Sequence, residues 1–133
     1  MSFNQAIWNQ GMVEKDGRLI LLVTLEKGAM WQLHRYDDQF MSDREFRWQS
    51  QNRTKRESKH GRMIRDNRAA GTMVHLFVRR RKVMNGKAAP FIYCGPVDFV
   101  RWEGEAPITV DWELRNPVPK SLWETLKVPT RAE

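Results

Sequence analysis

Ten consecutive residues, Glu45-Phe46-Arg47-Trp48-Gln49-Ser50-Gln51-Asn52-Arg53-Thr54, bring together an indole, three side-chain amides, two hydroxyls and two guanidinium groups. A hydrophobic core does not need that chemistry. The Trp48 ring offers a face for stacking. Gln49, Gln51 and Asn52 each carry a donor pair and an acceptor, which suits the edge of a nucleobase, while Arg47 and Arg53 suit phosphate or, in bidentate contact, guanine. The stretch runs directly into Lys55-Arg56-Glu57-Ser58-Lys59-His60-Gly61-Arg62, where Lys55, Arg56, Lys59 and Arg62 continue the positive charge. A second basic run, Arg79-Arg80-Arg81-Lys82, ends a later strand, and Arg79 and Arg81 join the candidate phosphate contacts. Tyr36, Trp48 and Tyr93 are the aromatic candidates for the wall of a base pocket, and each is equally a good core residue. The competing account of the whole stretch is a half-buried strand with a solvated polar face.

The distribution of charge points the same way. The chain of 133 residues carries a formal net charge of +7 and has a pI near 10.0. From Arg44 to Lys87 there are fourteen lysines and arginines against three acids, a local excess of +11, so the remainder is at −4. A basic excess confined to one third of a chain is the sequence form of an electrostatic footprint. Nucleic acid is favoured over an acidic protein face because aromatics and amides interleave with the charge. DNA is the expected partner, with RNA second.

Enzyme chemistry finds less support. Asp111 and Glu113 lie two apart in a strand and share one face, but no lysine follows them as a metal-dependent nuclease of the restriction type requires. Cys94 is the sole cysteine and lies in an apolar strand, where a thiol is usually inert. His34, His60 and His75 are far apart and lack the spacing of a metal motif. His75, beside Leu76 and Phe77, reads as a hydrogen-bonded barrel histidine rather than a general base. The glycines mark turns and form no nucleotide-binding pattern. No catalytic residue, metal site or cofactor is therefore expected.

The elements that must position these residues are short strands. Arg18 to Leu25 is a continuous apolar run, expected to be central and covered on both faces. Asp16-Gly17 and Lys27-Gly28 turn the chain, and Met30 to Tyr36 is the expected hairpin partner of that run. Asp38 is placed to cap one helical turn. Arg44 to Ser50 alternates, with Phe46 and Trp48 on one face and Arg47 and Gln49 on the other. Residues 51–72 hold few apolar side chains and are expected as a basic loop, mobile until a ligand orders it. Val74 to Lys82, Pro90 to Cys94, Val97 to Trp102 and Ile108 to Leu114 are further strands. Asn85-Gly86 signals a hairpin whose connection looks longer than two residues. Pro119 opens a short C-terminal helix over Ser121 to Leu126. The expected fold is a single mainly β domain over residues 1–133, a small closed or nearly closed barrel, with an α+β sandwich as the alternative. Its core is expected from Leu21, Val23, Leu25, Phe46, Phe77, Ile92 and Val110. One cysteine and no signal peptide point to the cytoplasm, and no apolar run approaches a membrane span.

The combination of Leu21-Leu22-Val23-Thr24-Leu25-Glu26-Lys27, Tyr36-Asp37-Asp38 and Phe46-Arg47-Trp48-Gln49-Ser50-Gln51 with three later segments resembles a bacterial domain family, DUF3427. The later segments are His75-Leu76-Phe77-Val78-Arg79, Pro90-Phe91-Ile92-Tyr93-Cys94-Gly95-Pro96-Val97 and Pro107-Ile108-Thr109-Val110-Asp111-Trp112-Glu113-Leu114. The resemblance runs from about residue 10 to about residue 120. Members of that family usually lie C-terminal in superfamily-two helicase-like proteins, some of which also carry a nuclease domain. The resemblance implies DNA processing or defence against foreign DNA, and brings no catalytic residues with it. This chain has no phosphate-loop pattern, so it is expected to act alone or with a separately encoded motor. Strand count and the polar aromatic stretch are also similar to the PUA-like barrels that flip modified bases, an analogy of fold alone.

Three functions are therefore carried forward. One is a DNA-binding module that reads a modified, damaged or flipped base through an aromatic and amide pocket. The second is a protein-interaction subunit that docks its basic loop on a helicase or nuclease. The third is a metal-dependent nuclease.

Overall fold

The computed structural model describes residues 12–26, 38–50, 55–104 and 108–129. The protein is mainly β. Its strands are β1 (Met12–Lys15), β2 (Arg18–Glu26), β3 (Gln39–Phe40), β4 (Glu45–Gln49), β5 (Val74–Arg81), β6 (Val83–Met84), β7 (Lys87–Ala88), β8 (Ile92–Glu103) and β9 (Thr109–Leu114). Seven of them form one sheet in the order β1-β2-β5-β8-β9-β4-β3, and β6 and β7 form a separate hairpin. Only β2 and β5 are parallel; every other pair is antiparallel. β1 stands at one edge and β3 at the other, and no pairing among the described residues joins them, so the described strands form an open sheet.

The parallel pair explains the connectivity. Parallel neighbours need a long crossover, and here it carries β3, β4 and two short helices, α1 (Lys59–Arg65) and α2 (Asn67–Ala70). Residues 55–72, expected as a loop, are thus largely helical. Ser58 caps α1 by accepting a hydrogen bond from the Gly61 amide at 3.1 Å. Ile64 is fully buried in the main core, and Asn67, also buried, accepts the Phe99 amide at 2.9 Å through Oδ1. Two buried anchors compensate for the low apolar content of the segment. At the C-terminus, the expected helix is a single 3₁₀ turn (Lys120–Leu122) that continues in turns and docks Leu126 and Val128 in the core.

Alternation divides each strand between two faces. On the first face Leu19, Leu21, Val23, Leu25, Val74, Leu76, Val78, Val97, Val110, Trp112 and Leu114 join Phe40, Phe46 and Trp48 in one core. The second face carries a smaller apolar cluster of Val13, Ile20 and Leu22, with Phe77 and Phe91 packed against it. Burial of Ile20 and Leu22 as well as Leu19 and Leu21 agrees with β2 being covered on both faces. Both edges of β2 are taken by β1 and β5. Met30 to Tyr36, expected to pair with it, lies outside the described residues. Of the expected core, Leu21, Val23, Leu25, Phe46 and Val110 are buried on the first face, Ile92 borders that core, and Phe77 belongs to the second face.

Two hairpins follow from two-residue turns. Asp16-Gly17 (φ 53° and 74°) joins β1 to β2, and Asn85-Gly86 (φ 53° and 77°) joins β6 to β7. Positive φ at both central positions is the twist-compatible hairpin geometry that Asp-Gly and Asn-Gly favour. The connection at Asn85-Gly86 is therefore two residues, shorter than expected. Asp38 caps no helix: its carboxylate accepts the Gln49 amide at 2.7 Å, beside β3.

Candidate nucleic-acid interface

β8 runs unbroken for twelve residues through Gly95-Pro96, where two separate strands were expected. It does so by bulging. Leu76 pairs with Gly95, but Phe77 pairs with Tyr93, so Cys94 is an extra residue on β8. Gly95 has φ 92°, a conformation that a side chain disfavours and a bulge exploits. The extra residue reverses the parity of the strand. Without it, Tyr93 would share the first face with Gly95; with it, Tyr93 faces Phe77 on the second. Tyr93 is 51% exposed there, not in the core.

An aromatic stripe forms around it. The Tyr93 ring lies 4.8 Å from that of Phe77 and 5.8 Å from that of His75, centroid to centroid. The Tyr93 hydroxyl is 2.7 Å from His75 Nδ1. Burial, with the charges of Arg18 and Arg115, holds the His75 pKa below its ordinary value, and burial raises that of Tyr93. The lowered pKa favours a neutral imidazole, which shares this hydrogen bond with the Tyr93 hydroxyl. Further along β5, Arg79 lies 4.3 Å over the Phe91 ring and donates to Thr24 Oγ1 at 2.9 Å and to the Ala89 carbonyl at 3.2 Å.

A groove of about 280 Å³ opens beside Tyr93. β9 stops at Leu114, opposite Val97, so the first residues of β8 are bordered instead by the chain from Arg115 onward. Asn116, Pro117, Val118 and Leu122 form that border, across from Tyr93 and Gly95. The lining side chains are apolar apart from Tyr93, the Cys94 thiol and the Asn116 amide, a combination that fits a planar heterocycle with polar edges.

The other expected site residues separate into groups. Trp48 is 2% exposed and packs against Trp112 at 6.4 Å, so it is core and offers no stacking face. Arg47 and Gln49 emerge on the second face, but both are engaged. Arg47 Nε lies 2.9 Å from Asp111 Oδ1, and Arg101 Nε lies 2.8 Å from Oδ2. The Arg47 hydrogen bond and the two cations hold the Asp111 carboxyl below the ordinary carboxylate range. Gln49 Nε2 donates to Thr109 Oγ1 at 3.4 Å. Arg81 is exposed on the second face and lies 3.6 Å from Glu26, which also holds Arg80 at 2.8 Å.

Lys55, Arg56, Lys59 and Arg62 belong to the helical layer that covers the first face, because Ile64 of α1 is in the main core. Arg56 donates to the Gly104 carbonyl at 2.9 Å and lies 5.3 Å over Trp102. Lys59 pairs with Glu14 at 3.2 Å, while Lys55 and Arg62 are exposed. The basic segment and the Tyr93 stripe therefore lie on opposite sides of the sheet. Gln51, Asn52, Arg53 and Tyr36 lie outside the described residues.

His75 and Phe77, absent from the expected site, were signalled by their i, i+2, i+4 spacing with Arg79, which places all three on one face. Arg18 and Arg115 carried no local signal; register and the turn after β9 bring them near His75. Burial pushes the Cys94 thiol up to about 12, far from a reactive thiolate. Asp111, between two arginines, is poorly disposed to bind a cation, and no group of three histidine, cysteine or acidic side chains converges among the described residues. No helix among the described residues is long and apolar enough to cross a membrane.

No curated protein matches the chain. The family described as a domain of unknown function, DUF3427, matches residues 3–126, and the chain belongs to that family.

Proposed function

We propose that the protein is a nucleic-acid-binding module whose ligand is single-stranded or locally unpaired DNA, held on the second face of the sheet. The observation that carries this reading is Tyr93: a half-exposed ring on a central strand, flanked by the rings of His75 and Phe77. Exposed aromatics on a sheet, with cations around them, are how sequence-tolerant single-strand binding is achieved, because every base has a π face. Arg18 supplies a phosphate contact in this reading, whereas Arg81 is held by Glu26 at 3.6 Å and Arg115 by Asp98 at 3.0 Å. An unpaired base stacks on Tyr93 with its edge toward Asn116 in the adjoining groove. Damaged, modified or mismatched bases unstack at lower cost and are favoured there. The base-stacking role thus moves from Trp48 to Tyr93.

The family resemblance favours DNA over RNA and a DNA-processing or defence context beside a helicase or nuclease, and a single cysteine favours the cytoplasm. The test is fluorescence anisotropy with single-stranded, duplex, mismatched and modified oligonucleotides at several salt concentrations. Binding to single strands that weakens with salt and with Tyr93→Ala supports the reading. Affinity for all of them unaffected by Tyr93→Ala overturns it.

A further inference from the structure

The hairpin β6–β7 is the continuation of the strands that carry the aromatic stripe. β5 holds His75, Phe77 and Arg79, ends at Arg81, and leads into β6; β7 leads back through Phe91 into β8 and Tyr93. Every residue from Arg81 to Ala88 is exposed. The segment contains Arg81, Lys82 and Lys87 and no acid, while Val83 and Met84 are 54% and 57% exposed. Val83 pairs with Ala88 and Met84 with Lys87, so the ribbon presents Val83 and Ala88 on one face and Met84 and Lys87 on the other. Among the described residues, the side chains of Lys82, Val83, Met84 and Lys87 make no hydrogen bond, ion pair or ring contact.

A bare two-stranded ribbon is marginal by itself. This one is preorganised instead by its tight turn at Asn85-Gly86 and by the Ala89 amide, which donates to the Lys82 carbonyl at 3.0 Å. Ala89 is buried and roots the ribbon to the sheet. A basic arm with two exposed apolar side chains just below its turn suits a partner that offers both anionic groups and apolar contacts. Duplex DNA offers both: the major groove admits a two-stranded ribbon, phosphates line its rims, and thymine methyl groups give apolar contact.

We propose that the β6–β7 hairpin is an arm that enters the major groove of duplex DNA, so that the protein holds a junction between duplex and single strand. This rests on the single-strand reading above for its second half. Lys82 and Lys87 contact phosphates on the groove rims, and Val83 and Met84 meet base edges. Phe77 and Met84 are at most roughly 23 Å apart along the chain at about 3.3 Å per residue. The arm and the stripe therefore reach adjacent parts of one ligand.

The experiment compares anisotropy titrations of the full chain with a single strand, a blunt duplex and a duplex carrying a single-stranded tail. Lys82→Ala/Lys87→Ala, Val83→Ser/Met84→Ser and Tyr93→Ala are measured beside the unchanged protein. All five positions are exposed, and melting curves verify that each variant folds. The lysine pair should weaken binding to the tailed and blunt duplexes roughly tenfold and lower the salt slope by about one per lysine, with the single strand little affected. The apolar pair should weaken both duplexes without changing the slope. Equal losses on all three ligands, or no loss on either duplex, overturn the arm. Anionic vesicles titrated beside the DNA ligands also overturn it if the arm variants lose vesicle binding and keep both duplexes. If the arm variants weaken duplex binding while Tyr93→Ala changes nothing, the arm stands and the single-strand reading falls. If Tyr93→Ala alone acts, the reverse holds.

Discussion

Tyr93 Oη and His75 Nδ1 are 2.7 Å apart across the β5–β8 pair, and the bulge at Cys94 is what brings them to the same face. The bond orients the phenol and leaves its ring half exposed. Two residues eighteen positions apart thereby become one aromatic unit with a polar edge.

Tyr93→Ala should weaken binding to a short single strand by roughly 1–3 kcal/mol, the usual loss for one stacked base. Tyr93→Phe keeps the ring and should retain most of the affinity. Because the ring is half exposed, thermal melting should shift little in either variant. A Phe variant as defective as the Ala variant would assign the effect to the hydroxyl instead.

Gly95→Ala places a side chain at φ 92° and a Cβ 3.4 Å from Asn116 Nδ2. A cost of about 1–3 kcal/mol is expected in urea unfolding, with a loss of single-strand affinity as the bulge and Tyr93 reorient. Gly71, at φ 71° with open space around it, is the control. Gly71→Ala should cost stability through the same backbone strain yet leave affinity intact.

Protonation makes both ring nitrogens of His75 donors and puts a positive charge beside Arg18 and Arg115. Burial and the charges of Arg18 and Arg115 set its folded pKa below the ordinary 6.5. The unfolded chain therefore takes up this proton at a higher pH than the folded one. The stability linked to His75 is complete above about pH 6.5 and is lost as pH falls through the lower, folded value. Melting temperature should decline over that window, and His75→Gln should flatten the decline. The carboxylates of Glu26 and Asp111, also depressed, add their losses only below their ordinary values of 4.5 and 3.8.

Trp48→Ala removes a buried indole from its contact with Trp112 and should destabilise the protein by about 3–5 kcal/mol. Single-strand affinity of the folded fraction, measured well below the melting temperature, should be unchanged. A selective loss of affinity would return the base-reading role to this strand.

The two-faced character of each strand was legible in local sequence. Alternation placed Phe46 and Trp48 together and Arg47 and Gln49 opposite them, and the apolar run of β2 announced cover on both sides. Asp-Gly and Asn-Gly marked both hairpins because their positive-φ geometry is a property of the turn residues themselves. Which face of β4 would be core was already implied by Trp48 sharing a side with Phe46. Tertiary structure decided what alternation cannot carry across a defect. The parity of β8 changes at a bulge, and a bulge depends on pairing with β5, not on the five or six residues around it. The same holds for Arg47 and Asp111, sixty-four positions apart, whose ion pair turns an apparent phosphate ligand into part of the sheet. The helices of the basic segment likewise needed Ile64 and Asn67 to find their burial sites on distant strands. Strand periodicity is a short-range property of the chain, whereas register, bulges and the choice of covering layer are settled by contacts between segments far apart in sequence.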